Sequence, residues 1–201
     1  MRAVRTAAVA MNTTSDSACD MDLLAAIARQ DVRAFERLYR RYFRKIVGFA
    51  ARMTSRTDLA EEIASETVLA IWRGAGSYQG TAKPSTWIFG IAYRQALAAL
   101  RRSDKDRRSK EVAEVLHENT AAPDEVERLF LRDELGKALL DLSPEHRAVV
   151  ELTYVYGYTS SEISEIIDCP VGTVKTRLMH ARRKLKTKMS APESPGMEDG
   201  Q

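Results

Sequence analysis

Apolar residues in this chain recur at steps of three and four, and nowhere do they alternate. Between Asp31 and Thr54 the side chains Phe35, Leu38, Tyr39, Tyr42, Ile46, Phe49, Ala50 and Met53 keep one helical face. A strand needs a period of two and a helix a period of 3.6, so one pattern excludes the other. The fold class is therefore all-α. Asp31 is placed to cap the first of these helices. A second helix is expected from Asp58 to about Trp72. A third should run from about Ser85 to Arg102, with Trp87, Ile88, Ile91, Leu97 and Leu100 inward. Between them "GAGSYQGTAKPS", Gly74 to Ser85, carries three glycines and a proline and marks a loop.

The pattern lapses once. Residues 104–126 are polar and mixed in charge, with few large apolar side chains, and cannot bury much surface. They read as a flexible linker. Beyond them Leu129, Phe130 and Leu135 resume the helical period, and Ser143-Pro144 starts a helix with proline where its missing N–H costs nothing. Thr159 to Glu162 is a capping box, followed by Ile163, Ile166 and Ile167. Asp168-Cys169-Pro170 stops that helix, and a basic one begins near Val171. The expected organisation is two small helical domains, 23–103 and 127–189, joined by the linker 104–126. Residues 1–22 are expected to form a disordered leader and 190–201 a disordered tail.

Composition narrows the function by exclusion. The chain is 44% hydrophobic and 29% charged, with no run near the roughly 18 apolar residues of a membrane span. Direct membrane insertion is not expected, and a cytoplasmic setting is. Cys19 and Cys169 stand alone, without disulfide or metal-ligand spacing, and no cofactor motif is present. His117, His146 and His180 pair with no nucleophile or metal cluster, so the chain does not read as an enzyme. The net charge of +3 conceals an uneven distribution. Residues 23–103 hold fourteen Lys and Arg against six Asp and Glu. Residues 127–170 hold nine acids against four bases, and residues 171–190 seven bases and no acid. Two basic faces divided by an acidic segment suit an extended polyanion touched at two places.

Each basic face has a local reason to meet nucleic acid. The capped helix, short turn and basic helix form a helix-turn-helix pattern. In the basic helix Val174, Leu178, Ala181 and Leu185 fall on one stripe and pack inward. Thr176, Met179, His180 and Arg183 point outward, flanked by Lys175 and Lys184, and Thr173 in the first turn is counted with them as a candidate. Cations for phosphate and guanine edges, with a hydroxyl, an imidazole and a thioether, suit a major groove. The glycine-rich loop sets Tyr78, Gly80 and Lys83 beside Trp87 and Arg94. Aromatics next to cations are what single-stranded nucleic acid requires, because bases stack while phosphates are neutralised.

Four stretches in this order resemble the extracytoplasmic-function group of bacterial RNA polymerase sigma factors. They are "DVRAFERLYRRYFRKIVGFAAR", "DLAEEIASETVLAIWR", "YQGTAKPSTWIFGIAYRQALAALRR" and "GYTSSEISEIIDCPVGTVKTRLMHARRKL". The resemblance implies region 2 in residues 23–103 and region 4 in residues 127–189. It further implies that the second stretch docks on the β′ clamp of core RNA polymerase, through Asp58, Glu61, Glu62, Glu66 and Trp72. The loop would take a base of the melted −10 element, and the basic helix would read the −35 element as duplex promoter DNA. The β flap of the polymerase and a cognate anti-sigma factor are the further partners implied. Arg94 stands where many relatives have Asn, and His180 where Arg is common. Two other readings stay open. A helix-turn-helix regulator acting without polymerase explains only the C-terminal unit. A sigma mimic that titrates an anti-sigma factor has no need of the loop or the basic helix.

Overall fold

The computed structural model of the chain describes residues 13–54, 56–113 and 138–189, and all regular structure among them is helical. The elements are α1 (Thr13–Ala28), α2 (Val32–Thr54), α3 (Thr57–Gly74), a 3-10 turn (Ala75–Ser77), α4 (Pro84–Ala113), α5 (Pro144–Tyr154), α6 (Ser160–Ile167) and α7 (Val171–Met189).

Helix starts follow the chemistry read from the sequence. Oδ1 of Asp31 accepts from the N–H groups of Arg33 at 2.8 Å and Ala34 at 3.1 Å, which caps α2. Ser143 accepts from the His146 N–H at 3.4 Å, with Pro144 in the first turn of α5. The Thr159 hydroxyl accepts from the Glu162 N–H, and the Glu162 carboxylate accepts in return from the Thr159 N–H. Asp168 ends α6 in the left-handed conformation, at φ 51°.

Two boundaries differ from expectation. The leader was expected to run unstructured to residue 22, yet α1 begins at Thr13; residues 1–12 lie outside the described residues. The reason is at Asp20, which is only 2% exposed. Its carboxylate accepts from Arg41 and from the Tyr42 hydroxyl, each at 2.5 Å, and Leu23, Leu24 and Ile27 follow it into the core. Burial, then the hydrogen bond to Asp20, push the Tyr42 hydroxyl far above its ordinary value. Helix α4 also continues eleven residues past Arg102, into the expected linker. Residues 114–126, with the remaining linker, and Leu129, Phe130 and Leu135 lie outside the described residues.

The first four helices close over Leu24, Ile27, Leu38, Ile46, Phe49, Met53, Ile63, Ile71, Ile88 and Phe89. In the C-terminal unit Val174 and Ala181 of α7 are fully buried, and Ala181 packs with Leu139, Leu142 and Val150. The sequence reads as two small helical units joined by a linker, and among the described residues the two pack against each other. The apolar core is continuous from α1–α4 into α5 and α6. Phe89 of α4 meets the Tyr156 ring at 4.7 Å and the Tyr158 ring at 5.6 Å between centroids.

Polar groups fix the register of that junction. Nε of Arg52 donates to Oε2 of Glu151 at 2.5 Å, and Glu151 is 2% exposed. The Arg52 guanidinium also donates to the Tyr156 hydroxyl at 2.5 Å, which in turn donates to the Lys45 carbonyl at 2.8 Å. Burial pushes the Tyr156 hydroxyl up to about 12. Arg147, itself buried, donates to the Leu139, Leu140 and Leu142 carbonyls on its own side. Across the junction it donates to the Met53 carbonyl at 2.8 Å. A cation therefore meets the orphan carbonyls at the C-terminal end of α2, where the helix dipole favours it.

The placement of Asp20 gives a direct test. Asp20→Ala strands the buried Tyr42 hydroxyl and should cost about 2 kcal/mol. For a chain of this size that lowers the melting temperature by roughly 4–8 °C. A thermal melt by circular dichroism unchanged from wild type contradicts a structural role for α1.

Candidate nucleic-acid interface

The basic helix α7 presents the face its periodicity implies. Lys175, Thr176, Met179, His180 and Arg183 are exposed, Met179 at 57%, while Val174 and Ala181 lie at 0% on the opposite side. Leu178 and Leu185 are half-buried and complete the inner stripe. Thr173 is half-buried, in the first turn, with its N–H on the Pro170 carbonyl. The Thr176 hydroxyl donates back to the Gly172 carbonyl at 3.0 Å, which leaves its methyl outward. Neither Lys175 nor Arg183 meets an acid among the described residues. Other cations of the helix are engaged. Arg182 lies over the Tyr154 ring and donates to its hydroxyl, and Lys184 donates to the Asp141 carbonyl.

His146 is the residue of this face that sequence reasoning missed, because it counted only as part of a helix start. Its ring stacks on that of His180 at 6.3 Å between centroids and 10° between planes. Nδ1 of His146 lies 2.7 Å from the Ser143 hydroxyl, which fixes the ring from behind. Partial burial, then the charges of Arg177 and His180, hold the His146 imidazole below its ordinary pKa. The His146 ring thus backs that of His180. The signal in the sequence was a histidine three residues after an N-cap serine, and nothing local tied it to a helix 34 positions later.

The loop between α3 and α4 is a built structure. Gly80 takes φ 71°, a conformation open to glycine and strained for other residues. The Tyr78 hydroxyl donates to the Ala82 carbonyl at 2.5 Å and closes the loop on itself. The Tyr78 and Trp87 rings are 5.4 Å apart, both half-buried, so the two aromatics form one ledge. Lys83 caps α4, with the Trp87 N–H on its carbonyl at 3.0 Å, and its ammonium group donates to Glu162 at 2.7 Å. Arg94 is exposed about two turns beyond Trp87 on α4.

The acids of α3 form a separate face. Glu61, Glu62 and Glu66 are exposed, and Glu62 lies 3.6 Å from Arg102. Asp58 is held by Arg56, whose hydrogen bonds keep its carboxyl below the usual carboxylate range. Trp72 is half-buried, edge-on to Phe35 at 5.0 Å, so most of its ring serves packing. Leu69 was not anticipated. It is 37% exposed and stands three residues after Glu66, an apolar centre within the acidic face. The structure brings together the Tyr78 loop and the start of α4.

No group of three or more metal-ligating side chains occurs among the described residues, and none of their helices is long and apolar enough to cross a membrane. Cys19 and Cys169 are both free thiols, half-buried.

Comparison with known proteins adds the family. Residues 38–106 match the family described as Sigma-70 region 2, and residues 132–185 that described as Sigma-70, region 4. The RNA polymerase sigma-H factor of Pseudomonas aeruginosa is 30% identical over 176 residues, covering 83% of this chain and 91% of that one. The ECF RNA polymerase sigma factor SigL of Mycobacterium tuberculosis is 31% identical over 170 residues, covering 83% and 94%. Among solved structures, CnrH in complex with the cytosolic domain of CnrY superposes with a TM-score of 0.65 at 20% identity, over 85% of this chain and 97% of that one. The sigma factor RpoE from Bartonella quintana, in complex with the anti-sigma factor NepR, gives 0.63 at 20% identity, over 79% and 98%. These two share the all-α fold. Family matches at both ends, and relatives aligned across most of their length, place this chain among the RNA polymerase sigma factors of the sigma-70 family, in the ECF group.

Proposed function

We propose that the chain binds core RNA polymerase through α3 and directs it to promoters by reading two elements in different states. The observation that carries this reading is the placement of three faces of different charge and chemistry on different elements, those of α3 and α7 exposed. The acidic face of α3 suits the β′ clamp of the polymerase. The Tyr78–Trp87 ledge with Lys83 and Arg94 suits a melted strand at the −10 element. The cationic, mixed face of α7 suits duplex DNA at the −35 element, with its unit resting on the β flap. As an initiation factor the chain supplies recognition and leaves the chemistry to the polymerase. The setting is the cytoplasm, and a cognate anti-sigma factor is the natural inhibitor; the RpoE structure of similar fold is a complex with an anti-sigma factor.

Energetics support a joint action with polymerase. Opening about five base-pair steps costs about 7 kcal/mol, at about 1.4 kcal/mol per step. Each captured base returns only about 1–3 kcal/mol by stacking. The free chain cannot hold a promoter open, and the polymerase must supply the rest. A regulator working alone would instead give tight, specific duplex binding without polymerase. A mimic would give no transcription at all.

Reversing the α3 face, as Glu61→Lys with Glu62→Lys and Glu66→Lys, should weaken binding to core polymerase by at least about tenfold, since each favourable pair becomes a repulsion. Duplex contacts by α7 should be untouched. Equal recovery of mutant and wild type on immobilised core polymerase contradicts the assignment.

Tyr78→Ala removes half of the stacking ledge and should reduce open-complex formation by roughly 5–150-fold, the equivalent of about 1–3 kcal/mol. Permanganate footprinting with normal reactivity in the melted region argues against the loop.

On the duplex side, Lys175→Ala with His180→Ala should abolish discrimination at the −35 element while core binding survives. His146→Ala releases the His180 ring and should relax preference at one base pair by about tenfold, within the roughly 1–3 kcal/mol of a specific base contact. Start-site mapping by in vitro transcription on a library of promoter variants measures both. Unaltered base preference in either variant removes that residue from the reading face.

A further inference from the structure

Met179 is 57% exposed on a helix otherwise rich in cations. One exposed apolar side chain needs no explanation by itself. Its neighbour on the same face is Thr176, three residues earlier and also exposed. The Thr176 hydroxyl spends its proton on the Gly172 carbonyl, 3.0 Å away. Its methyl group is then the outward part, and no proton is left to donate to a base edge. The two side chains form a small apolar patch within a polar face. Lys175 stands beside Met179, His180 lies on the other side of Thr176, and Arg183 is one turn beyond Met179.

The four bases differ in what they show to such a patch in the major groove. Guanine shows two acceptors, adenine and cytosine an amino donor, and thymine alone a methyl group. Guanine's acceptors find no donor in the patch. The amino groups of adenine and cytosine lose water against the thioether without replacing it. The C5 methyl group of thymine is the base-edge group that gains by lying there. Spacing sets the reach. Three residues of helix rise about 4.5 Å, and successive bases of one strand lie about 3.4 Å apart. Thr176 and Met179 therefore face neighbouring positions of the duplex.

We propose that Thr176 and Met179 select thymine at two neighbouring positions of the −35 element by burying its C5 methyl group, while Lys175 and Arg183 hold the flanking phosphates. This rests on assigning the outer face of α7 to duplex DNA, and adds the identity of bases that the assignment leaves open. Polar readout falls to His180, on the far side of Thr176 from Met179. Methyl readout is modest at each base, since one buried methyl group is worth about fourfold in binding. It is also blind to the rest of the base, so a methyl group placed on cytosine should serve nearly as well.

The test uses holoenzyme assembled with core polymerase, and duplex promoter fragments whose −35 element has been selected by binding from a randomised pool. Each thymine of the selected element is replaced in turn by deoxyuridine, which keeps the base pair and removes only the methyl group. Competition binding should weaken about fourfold at two neighbouring positions. Met179→Ala should abolish that loss at one of them. Thr176→Ser, which keeps the hydroxyl and its bond to Gly172, should abolish it at the other. At each position 5-methylcytosine should bind about fourfold tighter than cytosine in wild type, and no tighter in the matching variant. Both side chains are exposed, so neither substitution disturbs the core.

Equal losses with deoxyuridine in wild type and both variants trace the effect to the shape of the duplex and overturn the proposal. So does a selected element in which deoxyuridine weakens binding nowhere. In that event the variant carrying Lys175→Ala and His180→Ala shows how far the failure reaches. If it alters base preference, α7 reads the element through other groups, and the thymine contact alone falls. If it keeps the wild-type preference, the assignment of α7 to the duplex falls, and the proposal with it.

Discussion

A carboxylate taken out of water must find a cation, and Glu151 finds Arg52 on a different unit of the chain. Burial alone pushes its carboxyl upward, and only the guanidinium of Arg52 and, farther away, that of Arg147 draw it back. Such a pair gains little net stability, because the cost of desolvating two ions roughly cancels their attraction. What it does set is register. Tyr156 can reach the Lys45 carbonyl, and Arg147 the end of α2, only in the arrangement in which Glu151 meets Arg52. The aromatic contacts around Phe89 would tolerate sliding; the ion pair does not.

The helices were legible because they are local. Asp31, Ser143 and Thr159 cap the helices that follow them, and Val174 and Ala181 lie inward as their angles demand. The junction between the units was not legible, although its residues were all in view. Phe89 and Ile166 look like any other members of a helical stripe. Periodicity says that a face is buried, without saying against what. Glu151 read as one of the nine acids of residues 127–170, and its partner lies 99 residues away. Asp20 was hidden in the same way: a polar residue in a weakly patterned stretch shows its role only beside Arg41 and Tyr42.

The candidate surfaces divide along the same line. The outer face of α7 followed from helical angles, since a helix shows to solvent what it does not bury. His146 became part of it only once α5 was set against α7. For the loop, sequence supplied the residue types, whereas the bond from Tyr78 to Ala82 and the ledge with Trp87 depend on a turn conformation that Gly80 permits. Charge followed a simpler rule. The acids of α3 and the cations of α7 could be assigned to different partners because the fold keeps them on different elements.

Glu162 shows how a single side chain can serve two masters without conflict. Its Oε2 closes the capping box with Thr159, and its Oε1 meets Lys83. The two oxygens divide the work, so a departing Lys83 takes nothing from the start of α6. The start of α6 is therefore fixed by its own residues, and its contact with α4 is an addition to a helix already capped. Docking and capping thus draw on different oxygens of one carboxylate, so the order of α6 does not depend on the neighbour it packs against.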